Sequence, residues 1–197
     1  MNRDLYLERL IRRKHNGMIK VITGIRRSGK SYLLFELFYG HLKGEGINDD
    51  HIIKIALDDR MNKYFRDPDY LCQYVHKQVK DAEMYYVLLD EVQYVPEFED
   101  VLNSFLHIRN VDIYVTGSNA KFLSKDIITE FRGRGDQVHI YPLSFSEFMQ
   151  SRHDSPREAW DDYAMYGGLP KLIEFSSEEE KVHYLKSIFD ETYLVDI

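Results

Sequence analysis

Residues Gly24-Ile25-Arg26-Arg27-Ser28-Gly29-Lys30-Ser31 fit the pattern G-x-x-x-x-G-K-[ST]. The pattern constrains the fold because it does chemistry only between a strand and a helix. Here Ile19-Lys20-Val21-Ile22-Thr23 reads as a short buried strand, and Ser31 to His41 carries Leu33, Leu34, Leu37 and Phe38 at helical spacing. A loop so placed aims several backbone N–H groups at one point, which the positive end of the helix dipole also faces. Gly24 and Gly29 allow a close backbone approach that a Cβ would block. Lys30 supplies a mobile charge for the β/γ oxygens of a polyphosphate, and Ser31 a hydroxyl for Mg²⁺. Arg27, Ser28 and Tyr32 complete the expected binding set. A glycine turn capping an ordinary helix is the plainer alternative, and the flanking strand and helix disfavour it.

A chain of 197 residues makes one domain, or one with a small appendage, and can bury roughly 70% of its unfolded surface. It needs no metal or disulfide staple, and the single Cys72 suits a reducing cytosol. No apolar run approaches membrane-spanning length, and the first residues lack a secretory pattern, so a cytoplasmic location is expected. The net charge of −7 argues against an extended nucleic-acid surface. Arg9, Arg12, Arg13 and Lys14 read as a solvated helix face in preference to a DNA patch. The eight histidines are scattered, with none at i, i+4, so no zinc site is expected.

Further strands are expected at His51 to Asp58, Tyr85 to Leu89, Val111 to Val115 and Gln137 to Tyr141. Between them lie a helix capped by Asp67-Pro68 and another opened by Pro96. Strand and helix alternate, which predicts a three-layer α/β domain around a parallel sheet. From Ser144 only helices follow, at the capping patterns Ser144-Phe145-Ser146-Glu147 and Ser155-Pro156. The expected division is a core over residues 1–143 and a helical part over 144–197. The last helix carries Val182, Leu185, Ile188, Phe189 and Tyr193 on one stripe and stops in mid-pattern, so a continuation beyond Ile197 is expected.

Two carboxylates end the third strand, in Leu88-Leu89-Asp90-Glu91. Asp90, beside the loop strand, suits Mg²⁺, usually through water. Glu91 would sit one residue further, near the γ-phosphate, to orient and polarise an attacking water. The fourth strand ends Thr116-Gly117-Ser118-Asn119, where Asn119 or Ser118 would sense the γ-phosphate or place the water; a small polar turn is the alternative. Glycines flank a guanidinium in Arg132-Gly133-Arg134-Gly135, which makes Arg134 the preferred transition-state arginine and Arg132 the runner-up, in cis or in trans. A surface salt bridge is the plain alternative there.

These segments occur in a fixed order with Tyr141-Pro142-Leu143-Ser144-Phe145-Ser146-Glu147-Phe148 and Tyr166-Gly167-Gly168-Leu169-Pro170. Together they resemble the prokaryotic family of AAA+-type ATPases whose P-loop module precedes a C-terminal domain of unknown role. The resemblance covers nearly the whole chain. It implies an AAA+ (ASCE-type) P-loop NTPase core with strand order 5-1-4-3-2, a small helical lid, and ATP with Mg²⁺ as ligands. The Gly-Leu-Pro segment is similar to the lid motif of STAND-type NTPases, which implies that Pro170 packs near the adenine. No clear lid arginine is evident; Arg157 and Lys171 are weak candidates.

The leading expectation is therefore an ATPase that cleaves the γ-phosphate of Mg·ATP and does conformational work on an unknown protein partner. A homo-oligomer with an arginine finger in trans is one expected arrangement. A nucleotide-dependent switch with slow turnover is the second reading. A subunit of a DNA-acting assembly is the third, although direct nucleic-acid binding is not expected of so acidic a chain.

Overall fold

The computed structural model describes residues 3–117, 131, 133–151 and 155–195. Five strands form one parallel sheet: β1 Ile19–Thr23, β2 Ile52–Ala56, β3 Tyr85–Asp90, β4 Val111–Thr116 and β5 Gly135–His139. Their order is β2-β3-β4-β1-β5, the expected 5-1-4-3-2 read from the other edge. Because every pair is parallel, all the connections cross over, and all five strands point their C-terminal ends at one edge.

The strands are covered on both faces, as their apolar runs require. One face packs Val21, Ile55, Val87, Leu89 and Val115 against α3 (Pro68–Gln78) and α4 (Phe98–Phe105). The other packs Ile22, Leu88, Tyr114 and Val138 against α1 (Asp4–Ile11) and α2, the helix after the loop. Each fully buried aliphatic or aromatic side chain stabilises the fold by about 1.5–3 kcal/mol before chain entropy is counted. A buried ion pair interrupts this core. Lys20 and Asp112, both buried, pair across β1 and β4, where Asp112 also accepts from the Tyr114 hydroxyl at 2.8 Å and from the His15 N–H at 3.1 Å.

Helix α2 departs from regular geometry. It is α-helical over Lys30–Tyr32, π-helical over Leu33–Phe38 and α-helical again over Tyr39–Gly44. The wider turn places Leu33, Leu34 and Phe38 in the core while Leu37 is only half-buried. Other boundaries shift modestly. Pro96 does not open α4: a short 3₁₀ turn, Val92–Tyr94, follows β3, and Glu97 is the N-cap residue in the left-handed region at φ 52°. The fifth strand begins two residues earlier than the apolar pattern suggests, because Gly135 and Asp136 pair with Ile19 and Lys20.

After Leu143 come α5 (Phe145–Gln150), α6 (Pro156–Tyr166), a 3₁₀ turn Pro170–Glu174 and α7 (Glu178–Val195). Ser144 with Glu147 and Ser155 with Glu158 both form complete capping boxes. Leu143, Phe148 and Ala159 make a small cluster of their own with Phe145 and Tyr163. On α7, Val182 and Phe189 of the apolar stripe are exposed, while Lys181 is the buried residue, held by Asp162 at 2.5 Å and lying over the Tyr166 ring.

Candidate functional site

The loop after β1 turns at Gly24, whose φ of +148° suits glycine. A Cβ there would lie 2.3 Å from the Ile140 carbonyl oxygen, so the position tolerates no side chain. Arg27 (φ 63°) and Gly29 (φ 97°) are both left-handed. A non-glycine residue in that region carries about 1–3 kcal/mol of strain, the mark of a loop shaped for something other than stability. The buried Ser28 hydroxyl makes no hydrogen bond.

Lys30 begins α2, 3% exposed, and donates to the Gly24 and Ile25 carbonyls at 3.1 and 3.0 Å. Burial lowers its pKa, opposed by the carboxylates of Glu91 and Asp90. Ser31 hydrogen-bonds Asp90, and so does Thr116 from the tip of β4 at 2.5 Å. Burial pushes the Asp90 carboxyl up, and those two hydrogen bonds pull it back. The same Thr116 oxygen accepts the Glu91 N–H at 3.0 Å. Glu91 is left-handed (φ 54°), and its carboxylate takes the Gln93 amide. β4 thus stands between the loop strand and the acidic strand, as the expected order requires.

These groups open onto a cleft of about 700 Å³. Arg27, Gly29, Lys30, Ser31, Tyr32 and Glu91 line one side; Pro170, Lys171, Ile173, Glu174 and Tyr184 line the other. Pro170 stands against the loop: its Cγ would be 3.8 Å from a Cβ on Gly29. The volume is that of a cofactor-sized site. The residues fit a nucleotide with Mg²⁺: a hydroxyl–carboxylate pair, Ser31 and Asp90, suits a hard cation that keeps most of its waters and phosphate ligands. Arg26 and Arg27 meet Glu191 of α7 at 3.5 and 3.0 Å, and the Arg27 guanidinium lies 5.2 Å from the Tyr184 ring centre.

The sequence-derived set is therefore largely brought together. Gly24, Arg27, Ser28, Gly29, Lys30, Ser31, Tyr32, Asp90, Glu91 and Pro170 all lie in or directly behind the cleft. Arg134 does not. It is exposed at the opposite edge of the sheet, where its carbonyl accepts the N–H of Ile19 at the start of β1. Five strand residues, about 15 Å, separate that point from the loop. Asn119, Ser118 and Arg132 lie outside the described residues. Arg157 is exposed, and Lys171 lines the cleft in an ion pair with Glu174. Two residues had no assigned role in the sequence reading: Thr116, which stood in a quoted motif, and Arg3, which carried no signal at all.

The sequence profile of the AAA domain family matches residues 16–149. The chain belongs to the AAA domain family. Its fold is that of the AAA+ P-loop ATPases. An uncharacterized protein of Haemophilus influenzae is 35% identical over all of this chain and 50% of its own length. One from Methanocaldococcus jannaschii is 29% identical over all of the chain and 44% of its own. The chain thus spans about half the length of the curated relatives it matches. Among solved structures, a DNA polymerase III gamma subunit-related protein of Thermotoga maritima has TM-score 0.57 and 12% identity, over 92% of this chain and 62% of that one. The Aeropyrum pernix ORC1 protein in complex with DNA has TM-score 0.51 and 12% identity, over 97% and 66%. At such identities the likeness concerns the fold. Among the described residues of this AAA-domain chain, no helix is long and apolar enough to cross a membrane.

Proposed function

We propose that this AAA domain binds Mg·ATP in the cleft between the loop and the helices after Ser144, and hydrolyses its γ-phosphate. The observation that carries the reading is the Asp90–Glu91 pair. Asp90 is tied to the metal-side hydroxyl of Ser31, and the next carboxylate is turned by a left-handed backbone toward the cleft it lines. Ser31 and Asp90 hold the metal, Lys30 and the loop N–H groups hold the phosphates, and Glu91 polarises the attacking water. Asn119 is assigned to the γ-phosphate, Pro170 to the base, and Arg134 to the site of a neighbouring copy. Residues 144–197 serve as the lid over a core of residues 1–143. The chain acts in the cytoplasm, on a protein partner, through the conformational change that hydrolysis drives.

The test is Mg·ATP turnover measured against protein concentration, with Glu91→Gln as the comparison. The reading predicts tight binding in both proteins and turnover only in the parent; equal turnover in the variant would overturn it.

A second reading is favoured by one contact. Pro170 stands against Gly29, so the nucleotide state of the loop bears directly on the lid. On this reading ATP and ADP set two lid positions and turnover is a slow timer. Equal protease protection of the lid by both nucleotides would argue against it. A role in a DNA-acting assembly has less support, because the chain carries a net charge of −7. Retention on DNA that falls steeply with salt would revive it.

A further inference from the structure

The Arg3 guanidinium, 3% exposed, is held by three separate parts of the chain. Nη1 donates to the Ser28 carbonyl at 3.0 Å, inside the loop. Nη2 donates to the Tyr141 carbonyl at 2.7 Å, beyond the end of β5. Nε meets Glu147 Oε1 of α5 at 2.9 Å. The Tyr6 ring lies beneath it at 4.6 Å. Nε makes no hydrogen bond, so the contact with Glu147 is an ion pair beside two hydrogen bonds. A planar fork reaches two carbonyls in different directions and still faces the carboxylate, for which an ammonium has neither the span nor the geometry.

Two consequences follow from covalent geometry. In a trans peptide the C=O and the following N–H point in opposite directions. Anchoring the Ser28 carbonyl on Arg3 therefore turns the Gly29 N–H away from Arg3. Glu147 also divides its oxygens. Oε2 accepts from the Ser144 N–H at 2.8 Å and so caps α5, while Oε1 takes Arg3. One guanidinium thus fixes a loop peptide and the first turn of the helix after the core together.

We infer that Arg3 is the positioning residue that sets the Ser28–Gly29 peptide for phosphate and links that setting to α5. Phosphate binding in the loop and order in α5 are then two readouts of one contact, and linkage makes each strengthen the other. The inference rests on the nucleotide reading above.

The experiment uses the intact protein, with Arg3→Lys, Arg3→Ala and Glu147→Gln, and ADP as the probe. ADP affinity is measured by calorimetry, and amide hydrogen exchange is followed with and without ADP. Arg3→Ala is expected to weaken ADP about 10–100-fold, with little rescue by Arg3→Lys. ADP should protect both α2 and α5 in the parent, but α2 alone in the Arg3 variants and in Glu147→Gln. A merely structural role would change exchange equally with and without ADP. If Arg3→Ala does not fold, Arg3→Lys and Glu147→Gln carry the test. A parent that does not bind ADP overturns the nucleotide reading and this inference with it. A parent that binds, with unchanged affinity and unchanged α5 protection in Arg3→Lys and Glu147→Gln, overturns this inference alone.

Discussion

The Thr116 hydroxyl donates to the Asp90 carboxylate across adjoining strands, and its oxygen accepts the backbone N–H of Glu91. One side chain therefore orients the Asp90 carboxylate, proposed above to hold the metal, and the backbone of the residue that lies next to it. Thr116→Val keeps the shape and removes both bonds. The expected result is a roughly 10–100-fold lower apparent affinity for Mg²⁺ in nucleotide binding or turnover, as for other groups that orient metal ligands. Titration of Mg²⁺ at fixed ATP checks it. An unchanged Mg²⁺ requirement would mean that Ser31 alone orients Asp90.

Arg134 and the P-loop lie at opposite ends of β1. If copies of the chain complete each other's sites, Arg134→Ala and Glu91→Gln are each inactive alone and regain activity on mixing. The mixture contains interfaces with an intact Glu91 facing an intact Arg134. An arginine that acts on a transferring phosphoryl group contributes about 10³–10⁵ in rate, so even partial complementation is measurable. No recovery on mixing would leave Arg134 a surface residue.

Gly168 is packed too closely for any side chain. A Cβ would lie 2.2 Å from the Leu143 carbonyl oxygen and 3.0 Å from the Tyr163 ring, while the Gly168 carbonyl accepts the Leu143 N–H at 2.7 Å. Gly168→Ala should destabilise the protein by roughly 1–3 kcal/mol, and more if the Leu143 bond breaks. The denaturant midpoint measures it. Gly167→Ala adds no contact, but its φ of 81° makes it strained as well, so a milder loss is expected there.

The buried network at the N-terminal edge predicts an alkaline limit to stability. Burial and the Asp112 charge push the Tyr86 phenol up from 10.0 to about 12, and they raise Tyr114 as well. Both groups keep their protons in the folded protein where the unfolded chain has lost them. The Tyr86 contribution is complete below pH 10 and is lost as pH rises through about 12, and Tyr114 acts in the same sense. Lys20, whose pKa burial lowers, acts in the opposite sense below 10.5. Thermal melts against pH should fall across that alkaline window, and Tyr86→Phe should flatten the fall. Tyr86→Phe should also remove part of the tyrosinate absorbance that appears with unfolding.

The sheet was legible because β3, Tyr85 to Leu89, is apolar throughout, and because turn residues punctuate the chain between strands. The loop residues were legible because backbone geometry dictates glycine, lysine and serine at fixed spacing. The π-helical turn was not, since Leu33, Leu34, Leu37 and Phe38 satisfy a regular helix equally well. The ion pairs of Lys20 and Lys181 were not legible, because their partners Asp112 and Asp162 lie 92 and 19 residues away. Arg3 was invisible for the same reason: its partners are two carbonyl acceptors and one carboxylate in an ion pair, which no local pattern connects to the N-terminus. Local periodicity reveals strands and helices; a long-range polar contact leaves no period.

The opposed positions of the cleft and Arg134 give the chain a head and a tail. A twofold pairing brings identical patches together, so the head of one copy need not meet the tail of the other. A head-to-tail contact that seats Arg134 in a second cleft leaves one cleft and one arginine unsatisfied at the ends of an open row. Such rows close into rings when the rotation per copy divides a full turn, and otherwise lengthen into a spiral. Particle counts by electron microscopy with nucleotide present would then reveal symmetry directly, without any assay of catalysis.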